Sequence, residues 1–400
     1  MTNLYEEALL LQDEMIQHRR ILHAHPETGF NLTNTKAYVK KELEKLGYQV
    51  KEVGKSGLSC EIGNHQGKTF LLRADMDALP IQEQTNLEFK STNDFMHACG
   101  HDMHTAMLLG AAKLLKQHEN EIQGTVRFMF QPAEEIFEGS KDMIEHGILE
   151  NVDGAMMIHV MANFPLEPGT VLISKPGVSA PAADYFTIKI HGKGTHGSMP
   201  NLGIDPINVA AHLITALQVI NSRELALNQQ AILTIGTIHA GNLGNVIPDE
   251  LEMSGTIRTY DEQTRNFIKE RMSDIIENVA KTFRATASLE FGSGCPTLVN
   301  DETLAKEVTN YAKALLGPRK AFSVEEFMKG SSSSSSGAGS EDFAYVSQEV
   351  PSIMLALAAG KPDEGYCFPQ HHPQVQFDER ALASGCCIFA GVALNYLKNH

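Results

Sequence analysis

The sequence predicts an α/β protein: a mixed, largely parallel sheet flanked by helices, interrupted by a smaller ferredoxin-like α+β domain. Three observations carry this. In the first part of the chain, apolar runs of strand length alternate with helical periodicities, which implies parallel strands joined by crossover helices. After about residue 180 the order becomes β-α-β-β-α-β over roughly 110 residues, the split βαβ pattern. The chain has 400 residues, more than one hydrophobic core usually holds, so two domains are expected. The expected division is residues 1–180 and 295–400 for the α/β domain and 181–294 for the satellite.

Taken in order, the chain opens with an amphipathic helix from about Leu4 to Leu22. Strands follow in KTFLLRADMD, GTVRFMFQPAEE and DGAMMIHVM, with helices in AMLLGAAKLLKQH and SKDMIEHGIL between them. The turn-rich PGVSAPAAD marks the change of rhythm. DYFTIKIHG, AILTIGTIHAG, ELEMSGTIRTYD and ATASLEFG then read as strands, and DPINVAAHLITALQVI and RNFIKERMSDIIENVAKTF as helices. GCPTLVND punctuates the chain before helix–strand alternation resumes. Ser331 to Ser336 form a low-complexity run, and such a composition reads as a flexible loop.

Hydrophobic content of 42% and charged content of 20% fit a folded globular chain. A formal net charge of -16 argues against a nucleic-acid partner, which would ask for a basic surface. Glu6, Glu7 and Asp13 lie where a secretory signal would be basic and then apolar. Apolar stretches such as IMLALAA fall far short of the ~18 residues that span a bilayer, so no membrane partner is expected. Six cysteines spread over the chain do not form a disulfide framework, and the cytoplasm is the expected compartment.

HACGHDMHT places three histidines, a cysteine and an aspartate in nine residues at an expected helix start, from His97 to Thr105. Gly100 permits an unusual backbone between Cys99 and His101, so a thiolate and an imidazole can converge from a loop. In QPAEE, Glu134 and Glu135 follow a strand, and two adjacent carboxylates repel one another unless a cation lies nearby. One can bind a metal while the other takes a proton; a bland alternative is an acidic helix N-terminus. His159 ends the apolar strand AMMIHV, and His371 stands in CFPQHHP. Cys99, His101, Glu135, His159 and His371 all fall at strand ends or a helix start, where α/β sheets carry their sites. Five ligands with Glu134 to spare suit a two-metal site better than a closed four-ligand structural zinc.

These segments also carry a resemblance. LRADMDALP, HACGHDMHT, QPAEE, IHV, GKGTHGSMP, NVIPDE, GTIRTYD, SEDFAYV and QHHP, in that order, resemble the amidohydrolase branch of the aminoacylase/carboxypeptidase dinuclear metallohydrolases. The match runs over nearly the whole chain. It implies two divalent cations, zinc or manganese, on Cys99, His101, Glu135, His159 and His371. It implies Glu134 as general base and then acid, and a small-molecule N-acyl amino acid as substrate. It implies that His196 reaches a neighbouring subunit's site in a homodimer built through the satellite domain, and that Asn245 and Arg258 hold the substrate carboxylate. The bland alternatives for these three are a turn histidine, a turn asparagine and a solvated strand arginine. Related branches supply a histidine ligand near Asp75 and Asp77; that histidine is absent here. Asp77 then reads either as orienting a ligand imidazole or as a structural buried carboxylate. A metallo-dipeptidase or carboxypeptidase, a cysteine hydrolase built on Cys99, and a non-catalytic metal- or ligand-binding protein are the rival readings.

Overall fold

The computed structural model describes residues 4–329 and 339–400, so the serine run 331–336 lies outside the described residues. The chain divides into two compact units, one built from the residues up to Ser179 and those from Val299 onward, the other from Ala180–Leu298.

The split unit is an eight-stranded mixed sheet. Its strands lie in the order Lys51–Val53, Gly57–Gly63, Thr125–Gln131, Thr69–Asp75, Gly154–Met161, Ser352–Ala358, Val171–Ile173, Ala321–Ser323. The four central strands are mutually parallel, with Asp75 opposite Gln131 and His159 opposite Ala356. Antiparallel partners flank them on both sides. Thr69–Asp75 is buried at every residue, as expected of a strand covered on both faces. Parallel central strands leave their carboxyl ends on one edge, which is where the chain can collect side chains from distant parts of the sequence.

Helix His101–Gln117 is buried from His101 to Ala112 and packs against helices Gln12–Ala24 and Leu382–Asn399. Contact is close because Gly110 has no side chain: a Cβ there would stand 2.4 Å from the Met15 sulfur. Leu382–Asn399 lies within the one segment, among the described residues, long and apolar enough to cross a membrane, and 83% of that stretch is buried inside the fold. The expected opening helix is two, Leu4–Leu10 and Gln12–Ala24. At the junction the Leu11 N–H bonds to Ala8 O, a tightened turn that tucks Leu11 into the core. Glu134 and Glu135 do not open a helix; they lie in a turn, and the next helix starts at Gly139.

The second unit is a four-stranded antiparallel sheet in the order Ala231–Ala240, Glu250–Thr259, Ala182–His191, Thr286–Cys295. Helices Pro206–Val219 and Glu262–Thr282 pack on it around Ile188, Met253, Leu213 and Met272. Asp205 and Asp261 cap those helices by accepting from Ile207 N and Thr264 N. Numbered along the chain, the strands lie 2-3-1-4, the ferredoxin-like order that the β-α-β-β-α-β pattern predicts.

Candidate metal centre

Gly100 begins the site. It has φ +89° and immediately precedes helix His101–Gln117, so the chain turns sharply between Cys99 and His101. A Cβ at Gly100 would stand 2.4 Å from Val160 Cγ2, so glycine also allows the helix start to sit against the strand bearing His159. The turn brings side chains two residues apart into one cluster. The ligand atoms of Cys99, His101 and His159 lie within 4.8 Å of one another, and so do those of Cys99, Glu135 and His371. Cys99 belongs to both groups. His101, Glu134 and Glu135 form a third, on the same side of the sheet.

Each imidazole is held by one ring nitrogen. His101 Nδ1 donates to the backbone carbonyl of Asp77 at 2.9 Å, which leaves Nε2 facing Glu134 and Glu135 at 3.9 Å from each. His159 Nδ1 donates to Val160 O at 2.8 Å, and its Nε2 lies 3.5 Å from the Cys99 sulfur. His371 Nε2 lies 3.6 Å from Glu135. Asp77 therefore orients a ligand imidazole mainly through its main chain, while its carboxylate accepts from the Glu135 N–H at 3.2 Å.

His104 behaves differently. Its Nδ1 donates to Asp75 at 2.5 Å and its Nε2 accepts from Val160 N at 2.9 Å. Both nitrogens are engaged, so the neutral ring locks Asp75 to the strand instead of offering a ligand; burial pushes its pKa down to about 4. Asp102 points away from the cluster, accepting from Arg19 at 3.1 Å and His23 at 2.9 Å, with Glu83 on the far side of His23. His97 is buried and kept neutral by that burial, with a pKa of about 3. Arg19, His23 and Glu83 carry no sequence signal, because they lie 60 to 83 residues from their partners.

The floor of the site is Arg73, which is fully buried. It donates to Gln131 at 2.8 Å and Asp342 at 2.8 Å, pairs with Glu341 at 2.9 Å, and bonds Asp75. Glu341 and Asp342, from SEDFAYV, thereby come within 4.8 Å of Glu134. Burial, then Glu341 and Glu135, hold the Glu134 carboxyl well above its ordinary value. Burial pushes Glu135 up to about 7. Burial pulls His101 down, but Asp75 and its other neighbours win and raise it well above 6.5. The cluster thus holds protons where it lacks positive charge.

The residues fit a pair of cations. Among the described residues, His101 Nε2, Glu135 Oε1 and Asp77 Oδ1 are buried without a hydrogen-bond partner. Such orphaned polar atoms are costly to leave dry, and all three border the same cluster. Thiolate, imidazole and carboxylate together make a set that zinc and neighbouring divalent metals accept.

The family model for Peptidase family M20/M25/M40 matches residues 71–395. The chain belongs to this peptidase family. It is an amide-bond hydrolase by that membership, and the sheet edge described above is where the groups able to hold a metal gather. An N-acetylcysteine deacetylase of Bacillus subtilis is 37% identical over 96% of this chain and 97% of its own length. A thermostable carboxypeptidase of Saccharolobus solfataricus is 37% identical over 96% of both. A solved dinuclear metal binding peptidase of the M20 family from Bacillus subtilis superposes with a TM-score of 0.79 at 34% identity, covering 98% of this chain and 99% of that one. Two metal ions per chain accord with that structure and with the ligand groups here.

His196, Asn245 and Arg258 lie in the second unit. His196 pairs with Val246 in a short ladder, beside Asn245, whose carbonyl accepts from Gly197 N. His196 Nδ1 accepts from the Ser198 N–H at 3.1 Å and lies 2.7 Å from Ser198 Oγ, so in the neutral ring the exposed Nε2 carries the proton. Arg258 is eight residues along the strand from Glu250, about 26 Å from that end of the sheet, and its guanidinium lies 5.7 Å from the Tyr185 ring. The satellite sheet therefore does not gather the three residues at one point.

The raised Glu135 sets a pH dependence. A carboxyl whose pKa rises from 4.5 to about 7 stabilises the folded ion-free chain below 4.5 and loses that contribution as pH climbs through 7. Metal must expel this proton, so affinity is expected to tighten as pH rises through 7. Calorimetric titration in buffers of different ionisation enthalpy should show proton release on binding near pH 6. Affinity independent of pH, with no proton released, would contradict the ligand set.

Proposed function

We propose that this protein hydrolyses the amide bond of N-acyl amino acids such as N-acetyl, benzoyl or aryl-acetyl conjugates. The observation that carries the reading is a spare carboxylate, Glu134, standing beside two ligand groups that share Cys99. We assign two divalent cations, zinc or manganese, to Cys99, His101, Glu135, His159 and His371, which would hold them through two ligand groups that share Cys99. When bound, such a pair supplies Lewis acidity that acidifies water and polarises the acyl carbonyl. Glu134 takes a proton from the attacking water on a carboxylate oxygen and hands it to the leaving amine. Its protonation state suits that exchange: burial, then Glu341, Glu135 and Asp342, push its pKa up, and positive charge at the ligand groups would bring it back down.

The deacetylase name of one relative supports the acyl reading and the carboxypeptidase name of another keeps the peptide reading in play. The two differ in whether the acyl side bears a free amine. A cysteine nucleophile is disfavoured, because burial holds the Cys99 thiol well above its ordinary pKa. A binding protein without turnover has no use for Glu134. The free cysteines support a reducing, cytoplasmic setting.

Substrate contacts are assigned to His196, Asn245 and Arg258. The Nε2–H of His196 is placed to donate to a developing oxyanion, and Asn245 and Arg258 to hold the substrate carboxylate. Because one satellite sheet separates them, we assign the completed pocket to a homodimer. The edge strand Ala231–Ala240 supports this: Ile232 is 61% and Ile238 49% exposed, an unpaired edge that natural sheets usually cover.

Glu134→Gln is expected to keep both cations and to lose about 10²–10⁴-fold in kcat. Turnover would be followed as amino-acid release from N-acetyl, benzoyl and indole-acetyl amino acids beside unblocked dipeptides; near-normal turnover in the variant removes Glu134 from the role. Release from the dipeptides alone selects the peptidase reading. Light scattering is expected to give a dimer of the 43.9 kDa chain and a monomer after Ile232→Lys with Ile238→Lys. A monomeric unmutated protein that turns over substrate would deny His196 its role across subunits.

A further inference from the structure

Among the assigned ligands, His371 is the least enclosed. Its side chain is 55% exposed, against 9% or less for His101 and Glu135. Nor does its backbone rest in a favoured region: φ is +66°, a conformation that is strained for a non-glycine residue and persists only where neighbours over-determine it. Part of that restraint is the His371 N–H, which donates to Ala98 O at 2.9 Å, one residue before Cys99. The rest comes from the residue before it.

Gln370 turns its side-chain amide into the sheet. Nε2 donates to Val160 O at 2.9 Å and lies 3.6 Å from the Met161 sulfur. Val160 O is the same carbonyl that accepts His159 Nδ1–H at 2.8 Å, and Val160 N–H donates to His104 Nε2. A carbonyl has two lone pairs, and here one orients His159 while the other anchors the loop that carries His371. Both donors read from one oxygen, so the positions of the two histidines are fixed relative to each other.

We propose that Gln370 is a positioning residue for one of the two cations, holding His371 at a set distance from His159 by sharing the Val160 carbonyl. The proposal rests on the two-cation assignment above. Partners that orient a ligand from behind commonly carry 10- to 100-fold of metal affinity. Gln370 carries its share alongside the bond from the His371 N–H to Ala98 O.

The test titrates zinc into metal-stripped protein and its variants by calorimetry with a competing chelator. Gln370→Met keeps the length of the side chain and removes the donor; Gln370→Ala removes both; His371→Ala marks which equivalent depends on that ligand. The unmutated chain is expected to take two equivalents. Both Gln370 variants should keep one at unchanged affinity and weaken by about 10- to 100-fold the one that His371→Ala abolishes. Their metal-free melting midpoints should match the parent, and kcat lost at limiting zinc should return with excess zinc while KM stays put. Two equivalents at parental affinity in both variants would overturn the proposal. So would a uniform loss of both equivalents with a lowered metal-free midpoint, the mark of a merely structural contact. An unmutated chain that binds fewer than two equivalents would instead fail the two-cation assignment, an outcome seen before any variant is compared.

Discussion

A single buried guanidinium, that of Arg73, is the group on which the rest of the site depends. Its neighbours come from three places in the chain: Asp75 on its own strand, Gln131 on the next, and Glu341 and Asp342 nearly 270 residues on. Breaking a buried ion pair on one side typically costs about 3–5 kcal/mol, because the abandoned charge stays in a medium that cannot solvate it. Arg73 faces three carboxylates, so it fixes the carboxyl ends of two central strands and the segment after Gly339 in one arrangement. Gln131 and the Ser140 N–H complete the shell of Asp342. Glu134 stands at the rim of this floor, and its carboxyl is close enough to Glu341 to be held protonated in the absence of cations.

Above the floor, two of the ligand imidazoles are oriented by main-chain carbonyls. Asp77 O fixes His101 and Val160 O fixes His159, each taking the Nδ1 proton and leaving Nε2 free. A carbonyl can only accept, so the fold fixes a proton on Nδ1 of each ring, with the Asp77 carboxylate also 3.4 Å from His101 Nδ1. The departure of this chain from branches with a histidine near Asp75 has the same explanation. Asp75 is occupied by Arg73 and His104, and Cys99 stands where the two ligand groups meet.

Much of this was legible in the sequence because it is local. The glycine hinge between Cys99 and His101 lies in one turn, and the β-α-β-β-α-β order announces the satellite sheet and its strand order. The relation among Arg73, Glu341 and Asp342 could not be read from spacing. SEDFAYV stands nearly 270 residues from Arg73, while LRADMD draws the eye to its aspartates. Arg19 and His23 were hidden for a related reason: they meet Asp102 through tertiary packing of two helices, with Glu83 of a loop behind His23, and helix periodicity records only that a face is buried. Glu134 and Glu135 matched an acidic helix start equally well by sequence. The turn they occupy, with Ala133 at φ +56°, is a consequence of backbone geometry that no side-chain pattern encodes.

The central claim is that Cys99 stands between two cations. X-ray absorption at the zinc edge, on protein loaded with two equivalents, tests it most directly. The account predicts a sulfur shell near ~2.3 Å and a metal–metal shell at about 3.5–4 Å, with the sulfur shell lost in Cys99→Ser. A spectrum with nitrogen and oxygen neighbours alone, or with sulfur but no second metal, would contradict it.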